Sequence, residues 1–167
     1  MTDNVDAIRL QGGTLSELYL QYAPGALRLA YLLTGDRSLA EDLVQDAFVK
    51  LTGRLMHMTD PDGFHAYLRT TMINLTKSHF RRNAVERRYA ERQTEPPPIQ
   101  GPDLGDRDRL RIALMQLPMR QRTAVVLRYY EDLSEVQTAD LMGCRPTTVR
   151  SLVARGMSSL REMTEDD

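Results

Sequence analysis

Residues 94–108 read TEPPPIQGPDLGDRD, with four prolines and two glycines in fifteen positions. Such a run cannot continue a helix, because proline has no amide hydrogen to donate and holds φ fixed. It favours an extended tether and splits the chain into two parts, each of which must close its own core. An ordered loop inside one domain is the alternative, but a run of this length points to a linker. The expected organisation is a domain over 10–92, a linker over 93–107 and a second domain over 108–163.

Both parts carry helical periodicity and neither carries a strand alternation, so the expected fold class is all-α, two small helical domains. A short helix is expected over Thr14–Tyr22, with Leu15, Leu18 and Tyr19 inward. A second starts with Pro24 in its first turn and runs through Ala26, Leu29, Ala30 and Leu33 until Thr34-Gly35-Asp36 stops it. Leu39–Leu55 follows, then a turn at Thr59–Gly63, then a long helix from about Phe64 to Tyr89 whose inward stripe is Leu68, Met72, Leu75 and His79. Beyond the linker, Asp108–Leu117 ends at Pro118 and Arg120–Tyr130 leads into the last two helices.

Leu133–Arg161 reads as a helix–turn–helix. Ser134 with Gln137 three residues on is a capping-box start, and Gly143 breaks the helix. A second helix opens at Arg145-Pro146-Thr147-Thr148. Its apolar stripe is Val149, Leu152, Val153, Met157 and Leu160, while Arg150, Ser151, Ala154 and Arg155 fall on the other side. Between Gly143 and Arg161 stand four arginines and no acid. Two short helices joined by a tight turn, the second presenting Arg, Thr and Ser, suit a DNA major groove. A helical hairpin with a solvated basic face is the plainer reading of this stretch alone.

Composition narrows the field. The 167 residues include no Trp, three Phe and nine Met, so the cores are aliphatic. The formal net charge of −1 argues against a uniformly basic coat protein. The distribution is uneven: residues 69–92 hold seven Lys and Arg against two Glu. Two separate basic surfaces on a near-neutral chain suggest two contacts with one polyanion. The single Cys144 excludes an internal disulfide and fits a reducing cytosol. No cationic leader and no run of about 18 apolar residues is present, so a soluble, cytoplasmic protein without membrane insertion is expected.

Within LAEDLVQDAFVKL, Leu39, Leu43, Ala47 and Leu51 step by four into one buried stripe, and Glu41, Asp42, Gln45 and Asp46 cluster elsewhere beside Val49. An acidic helix face is most often solvated surface. A metal or acid–base site would need His or Cys at ligand spacing, and none joins these carboxylates. A docking face for a charged partner is the functional alternative. On the long helix, Arg69, Asn74, Lys77, Ser78, Arg81 and Arg82 lie off the inward stripe, with Tyr67, Phe80 and Tyr89 interleaved. That mixture of cations, amides and aromatics suits a nucleic-acid strand. His79 reads as a core-edge histidine, since His57 and His65 give it no metal-ligand spacing. No nucleophile–base pair or phosphate loop is present, so no enzyme, no cofactor and no metal is expected.

These residues resemble the extracytoplasmic-function sigma factors, the small two-domain initiation subunits of bacterial RNA polymerase, and among them the sigma-E-like group of actinobacteria. AYLLTGDRSLAEDLVQDAFVKL is similar to the family's core-binding helix region and FHAYLRTTMINLTKSHFRRNAVERRY to its promoter-melting helix. The stretch from Leu117 to Glu162 is similar to its C-terminal domain, including the LP-x-x-x-R opening at Leu117, Pro118 and Arg122. The resemblance implies that Glu41, Asp42, Gln45 and Asp46 sit against the coiled-coil of the polymerase β′ subunit, with Phe48 and Leu51 supporting the helix, and that the β flap is a second polymerase contact. It implies that the loop His57–Gly63, with Asp62, Phe64 and Tyr67, captures a flipped base of the minus-ten element. Arg69, Asn74, Lys77, Arg81 and Arg82 would contact the melted strand and upstream backbone. Arg145, Thr147, Thr148, Arg150, Ser151 and Arg155 would read or clamp the minus-thirty-five major groove. An anti-sigma factor is a further partner the resemblance allows. Gly156 stands where the family commonly has Ala, and is expected to cost about 1 kcal/mol of helix stability.

Two other classes compete with this expectation. A stand-alone helix–turn–helix repressor would need a dimerisation helix or an effector pocket, for which the acidic face of Leu39–Leu51 is poorly suited. A helical enzyme or adaptor lacks any supporting constellation.

Overall fold

A computed structural model of the chain describes residues 9–10, 13–53, 61–89 and 105–165. Two short strands, β1 (Arg9–Leu10) and β2 (Gly13–Thr14), pair antiparallel, with Arg9 opposite Thr14. Every other described element is a helix. By internal contacts the chain forms two compact units, Met1–Thr76 and Lys77–Asp167.

In the first unit α1 spans Leu15–Thr34. Thr14 starts it with a reciprocal cap: its hydroxyl accepts from the Glu17 amide at 3.2 Å, and the Glu17 carboxylate accepts from the Thr14 amide at 2.7 Å. The two helices expected on either side of Pro24 are therefore one. Leu20 and Pro24 are both exposed, so the carbonyl that loses its helical donor lies on the solvated side, where water can replace the bond. Gly35, at φ 69°, ends α1 by donating its amide to the Tyr31 carbonyl at 2.8 Å. Asp36 caps α2 (Arg37–Thr52) through the Leu39 amide at 3.1 Å. The helix thus begins two residues before the expected Leu39 and stops at Thr52, short of Leu55. Leu18, Leu29, Ala30 and Leu33 of α1 and Ala40, Leu43, Val44, Ala47 and Leu51 of α2 are buried as those two helices pack together.

The long helix α3 spans Pro61–Tyr89, with Pro61 in its first turn. Part of the expected Thr59–Gly63 turn is therefore helical; Thr59 and Asp60 lie outside the described residues. The buried stripe also differs from expectation. Phe64, Leu68, Met72 and Thr76 step by four with Ile73 beside them, whereas Leu75 and His79 are only half-buried. Thr76 hides in an apolar stripe because its hydroxyl donates to the Met72 carbonyl at 2.8 Å, leaving a methyl for the core. It is the last buried residue of α3 among those described, and the division between the units falls directly after it.

The second unit contains α4 (Asp106–Gln116), α5 (Met119–Tyr129), α6 (Glu135–Met142) and α7 (Pro146–Glu165). α7 packs against the other three. Gly105 caps α4, so the helix begins two residues before the expected Asp108; of the expected linker only residues 105–107 are described. Ala113, Leu114, Leu117, Ala124, Leu127, Leu133, Ala139, Val149 and Leu160 are buried. At the α4–α5 corner the buried Arg122 donates from Nε to the Leu114 carbonyl at 2.9 Å, and from Nη2 to those of Met115 and Leu117 at 3.0 Å each. These carbonyls belong to the end of α4 and the residue after it, groups a helix leaves unsatisfied and partly negative.

Candidate functional site

The exposed side of α2 is acidic. Glu41, Asp42, Gln45 and Asp46 all point to solvent and the apolar Val49 joins them at 70% exposure. Glu41 is partnered by Arg37, whose Nε lies 3.2 Å from its Oε1; a solvated i,i+4 pair of this kind contributes little to stability. Phe48 and Leu51 are buried, so they hold the helix from within. Alongside this face Tyr19, Leu20, Ala23, Pro24, Leu27, Val44, Glu41 and Gln45 line an open apolar groove between α1 and α2. Sequence periodicity missed the groove, in which Leu20 is 75% exposed on a helix that buries Leu18. Among the described residues no cluster of His, Cys, Asp and Glu has the arrangement of a metal site.

On α3 the expected nucleic-acid residues divide. Phe64 is in the core, its ring centroid 5.1 Å from Tyr22 and 6.0 Å from Phe48. Direct contact with a base would empty that position, so Phe64 can act only by holding its neighbours. Tyr67 and Arg69 are half-buried, and Arg69 Nη2 lies 3.4 Å from Nδ1 of His65. His65 stacks on Tyr22 at 5.6 Å. Asn74, Arg81 and Arg82 are exposed and Lys77 is half-buried. The His79 ring meets the Asn83 amide at 2.9 Å, which gives it a structural partner. Asp62 lies in the first turn of α3, with its side chain outside the described residues, as are His57 and the loop up to Asp60.

The helix–turn–helix is formed by α6 and α7. Ser134 and Gln137 make the reciprocal cap, at 3.1 and 2.9 Å, and Gly143 at φ 64° turns the chain. Arg128 donates to the Leu133 carbonyl and ties the preceding turn, where Asp132 adopts φ 53°. On α7, Thr147, Arg150, Ser151, Ala154 and Arg155 are exposed, as is Arg145 before it; Thr148 is half-buried. Val149, Gly156 and Leu160 form the buried side, while Leu152, Val153 and Met157 are only half-buried, so the inward stripe is narrower than expected. Arg150 makes a two-pronged ion pair with Glu135, a partner fifteen residues away that helical spacing could not reveal.

Residues 18–86 match the family Sigma-70 region 2, and residues 107–160 match Sigma-70, region 4. The chain is 35% identical over 137 residues to the RNA polymerase sigma-E factor of Streptomyces coelicolor, covering 81% of this chain and 77% of that one. It is 32% identical to the ECF RNA polymerase sigma factor SigE of Mycolicibacterium smegmatis, across 87% of this chain and 60% of the relative. The chain belongs to the extracytoplasmic-function sigma factors. Among solved structures, this sigma factor is similar to the Bartonella quintana sigma factor RpoE in complex with the anti-sigma factor NepR, with a TM-score of 0.70, 26% identity and coverage of 91% and 97% of the two chains. Region 2 thus takes in α1, α2 and most of α3, and region 4 takes in α4 to α7. The gap between the two matches contains the Pro-rich stretch.

Proposed function

We propose that this sigma factor directs promoter-specific initiation by joining core RNA polymerase through region 2 and reading promoter DNA through α3 and α7. The observation that carries the reading is the occurrence, on one chain, of both sigma regions in order, the first with an exposed acidic helix and the second with exposed arginines, Thr147 and Ser151 at the start of α7. Glu41, Asp42, Gln45 and Asp46 dock on the β′ coiled-coil, and the groove of Tyr19, Leu20, Leu27 and Val44 receives an apolar anchor from the same partner. Charge gives orientation and the apolar contact gives most of the affinity. The domains are those of 10–92 and 108–163, joined by the tether of 93–107, and the β flap meets the second of them.

Tyr67, Arg69, Asn74, Lys77, Arg81 and Arg82 engage the minus-ten region, with cations on phosphates and Tyr67 and Asn74 beside unstacked bases. Arg145, Thr147, Thr148, Arg150, Ser151 and Arg155 engage the minus-thirty-five major groove. The factor supplies recognition and positioning, and the chemistry of transcription belongs to the polymerase, which places its work in the cytoplasm. A solved relative is bound to an anti-sigma factor, and a protein of that class is a further partner here.

Binding of core polymerase tests the docking face. Replacing Asp42 and Asp46 together by Lys should leave helicity unchanged and weaken core binding by about 1–3 kcal/mol. Unchanged affinity in a titration would remove the acidic face from the account.

A further inference from the structure

Arg150 does not project from α7 unattended. Its Nε donates to Oε1 of Glu135 at 3.2 Å and its Nη2 to Oε2 at 2.9 Å, joining the recognition helix to the first turn of α6. The arginine side chain remains 71% exposed, and a solvated ion pair adds little to stability, so its geometry is the informative property. A guanidinium offers two edges to a planar pair of acceptors: the side edge of Nε and Nη2, and the end edge of Nη1 and Nη2. Glu135 occupies the side edge. The end edge is left with one hydrogen from each terminal nitrogen pointing away from the carboxylate. That fork matches O6 and N7 of guanine in the major groove. Without the carboxylate the long arginine stem would lose its fixed orientation, and ordering it would fall to the DNA contact itself.

We propose that Glu135 is a positioning residue for promoter readout, holding the Arg150 guanidinium by its side edge so that the end edge meets a guanine of the upstream element. The proposal rests on the reading of α7 as the base-contacting helix. It carries a signature that a purely structural role lacks. A carboxylate beside the recognition helix also repels DNA phosphates, so its removal lowers discrimination while leaving affinity for mismatched sites equal or higher.

The test uses the complex with core polymerase and promoter fragments in which each guanine of the upstream element is replaced in turn. Arg150→Ala should flatten discrimination at one guanine by roughly tenfold or more, the size expected of a bidentate contact. Glu135→Ala should flatten it at the same guanine, Glu135→Gln should fall between, and the double variant should add nothing further. If Arg150→Ala flattens discrimination and Glu135→Ala does not, the positioning role is overturned while α7 remains the reader. A uniform change on all fragments with Glu135→Ala, whether loss through destabilisation or gain through release of a latch, overturns it equally. If Arg150→Ala alters no position, the base-reading role of Arg150 fails and the proposal fails with it.

Discussion

Gly156 of α7 stands so close to Val125 of α5 that a Cβ built on the glycine would lie 2.8 Å from the valine Cγ2. The glycine that weakens α7 as an isolated helix is thus what lets it approach α5. Alanine would restore about 1 kcal/mol of helix propensity, but overpacking a stiff β-branched neighbour costs about 1–3 kcal/mol. Gly156→Ala should therefore lower stability in chemical denaturation, and adding Val125→Ala should recover part of the loss. A simple gain in stability from Gly156→Ala would mean that the two helices are not in close contact.

Arg122 should be the most sensitive charged residue of region 4. Three carbonyls accept from it, of which that of Leu114 also receives the Leu117 amide at 3.1 Å, and burial lowers its affinity for its proton without removing its charge at neutral pH. Arg122→Ala should cost on the order of 3 kcal/mol, since buried acceptors are left unsatisfied. Arg122→Lys should recover only part of that, because an ammonium lacks the planar fork. Thermal melting of the two variants measures the difference.

Thr138 makes the opposite prediction. It is fully buried in α6, and its Oγ1 has no hydrogen-bond partner among the described residues. Thr138→Val keeps the shape and removes an unsatisfied polar atom, so region 4 should gain about 1 kcal/mol or more. Denaturant midpoints with an unchanged slope check it, and a loss of stability would show that the hydroxyl is satisfied.

The Glu135–Arg150 pair has a predictable pH dependence. The hydrogen bond from Arg150, aided by the charges of Arg150 and Arg128, holds the Glu135 carboxyl below the usual glutamate range. A depressed pKa in the folded state gives a contribution that is present above the ordinary glutamate value and disappears as pH falls through the depressed one. Titration of the Glu135 side-chain carbon by NMR should therefore show a midpoint below that of an exposed glutamate, and Arg150→Ala should return it to the ordinary range.

How much of this was legible in the sequence depends on the range of the interaction. Local signals held: Gly35 and Gly143 end helices in left-handed conformations, and Ser134 with Gln137 forms the expected cap. The acidic face of α2 and the outward arginines of α7 follow from helical spacing, and both are exposed. Pro24 misled because a proline on a solvated helix face can be carried by water. Thr76 misled because its hydroxyl bonds its own helix and hides a polar residue in the core. The family resemblance assigns Phe64 to the minus-ten site and does not report that its ring is buried against Tyr22 and Phe48. The pairing of Arg150 with Glu135, the approach of α7 to Val125 and the groove between α1 and α2 arise from packing between helices, which periodicity within a single helix does not encode.

Run-off transcription with purified core polymerase tests the central claim most directly. On mixed promoter fragments, this chain and core together should yield transcripts from discrete start sites, neither should do so alone, and Asp42→Lys with Asp46→Lys should reduce them at limiting factor concentration while the variant remains folded. Specific binding of an upstream site by the chain alone, with no transcript when core is added, would contradict the account and favour a stand-alone repressor.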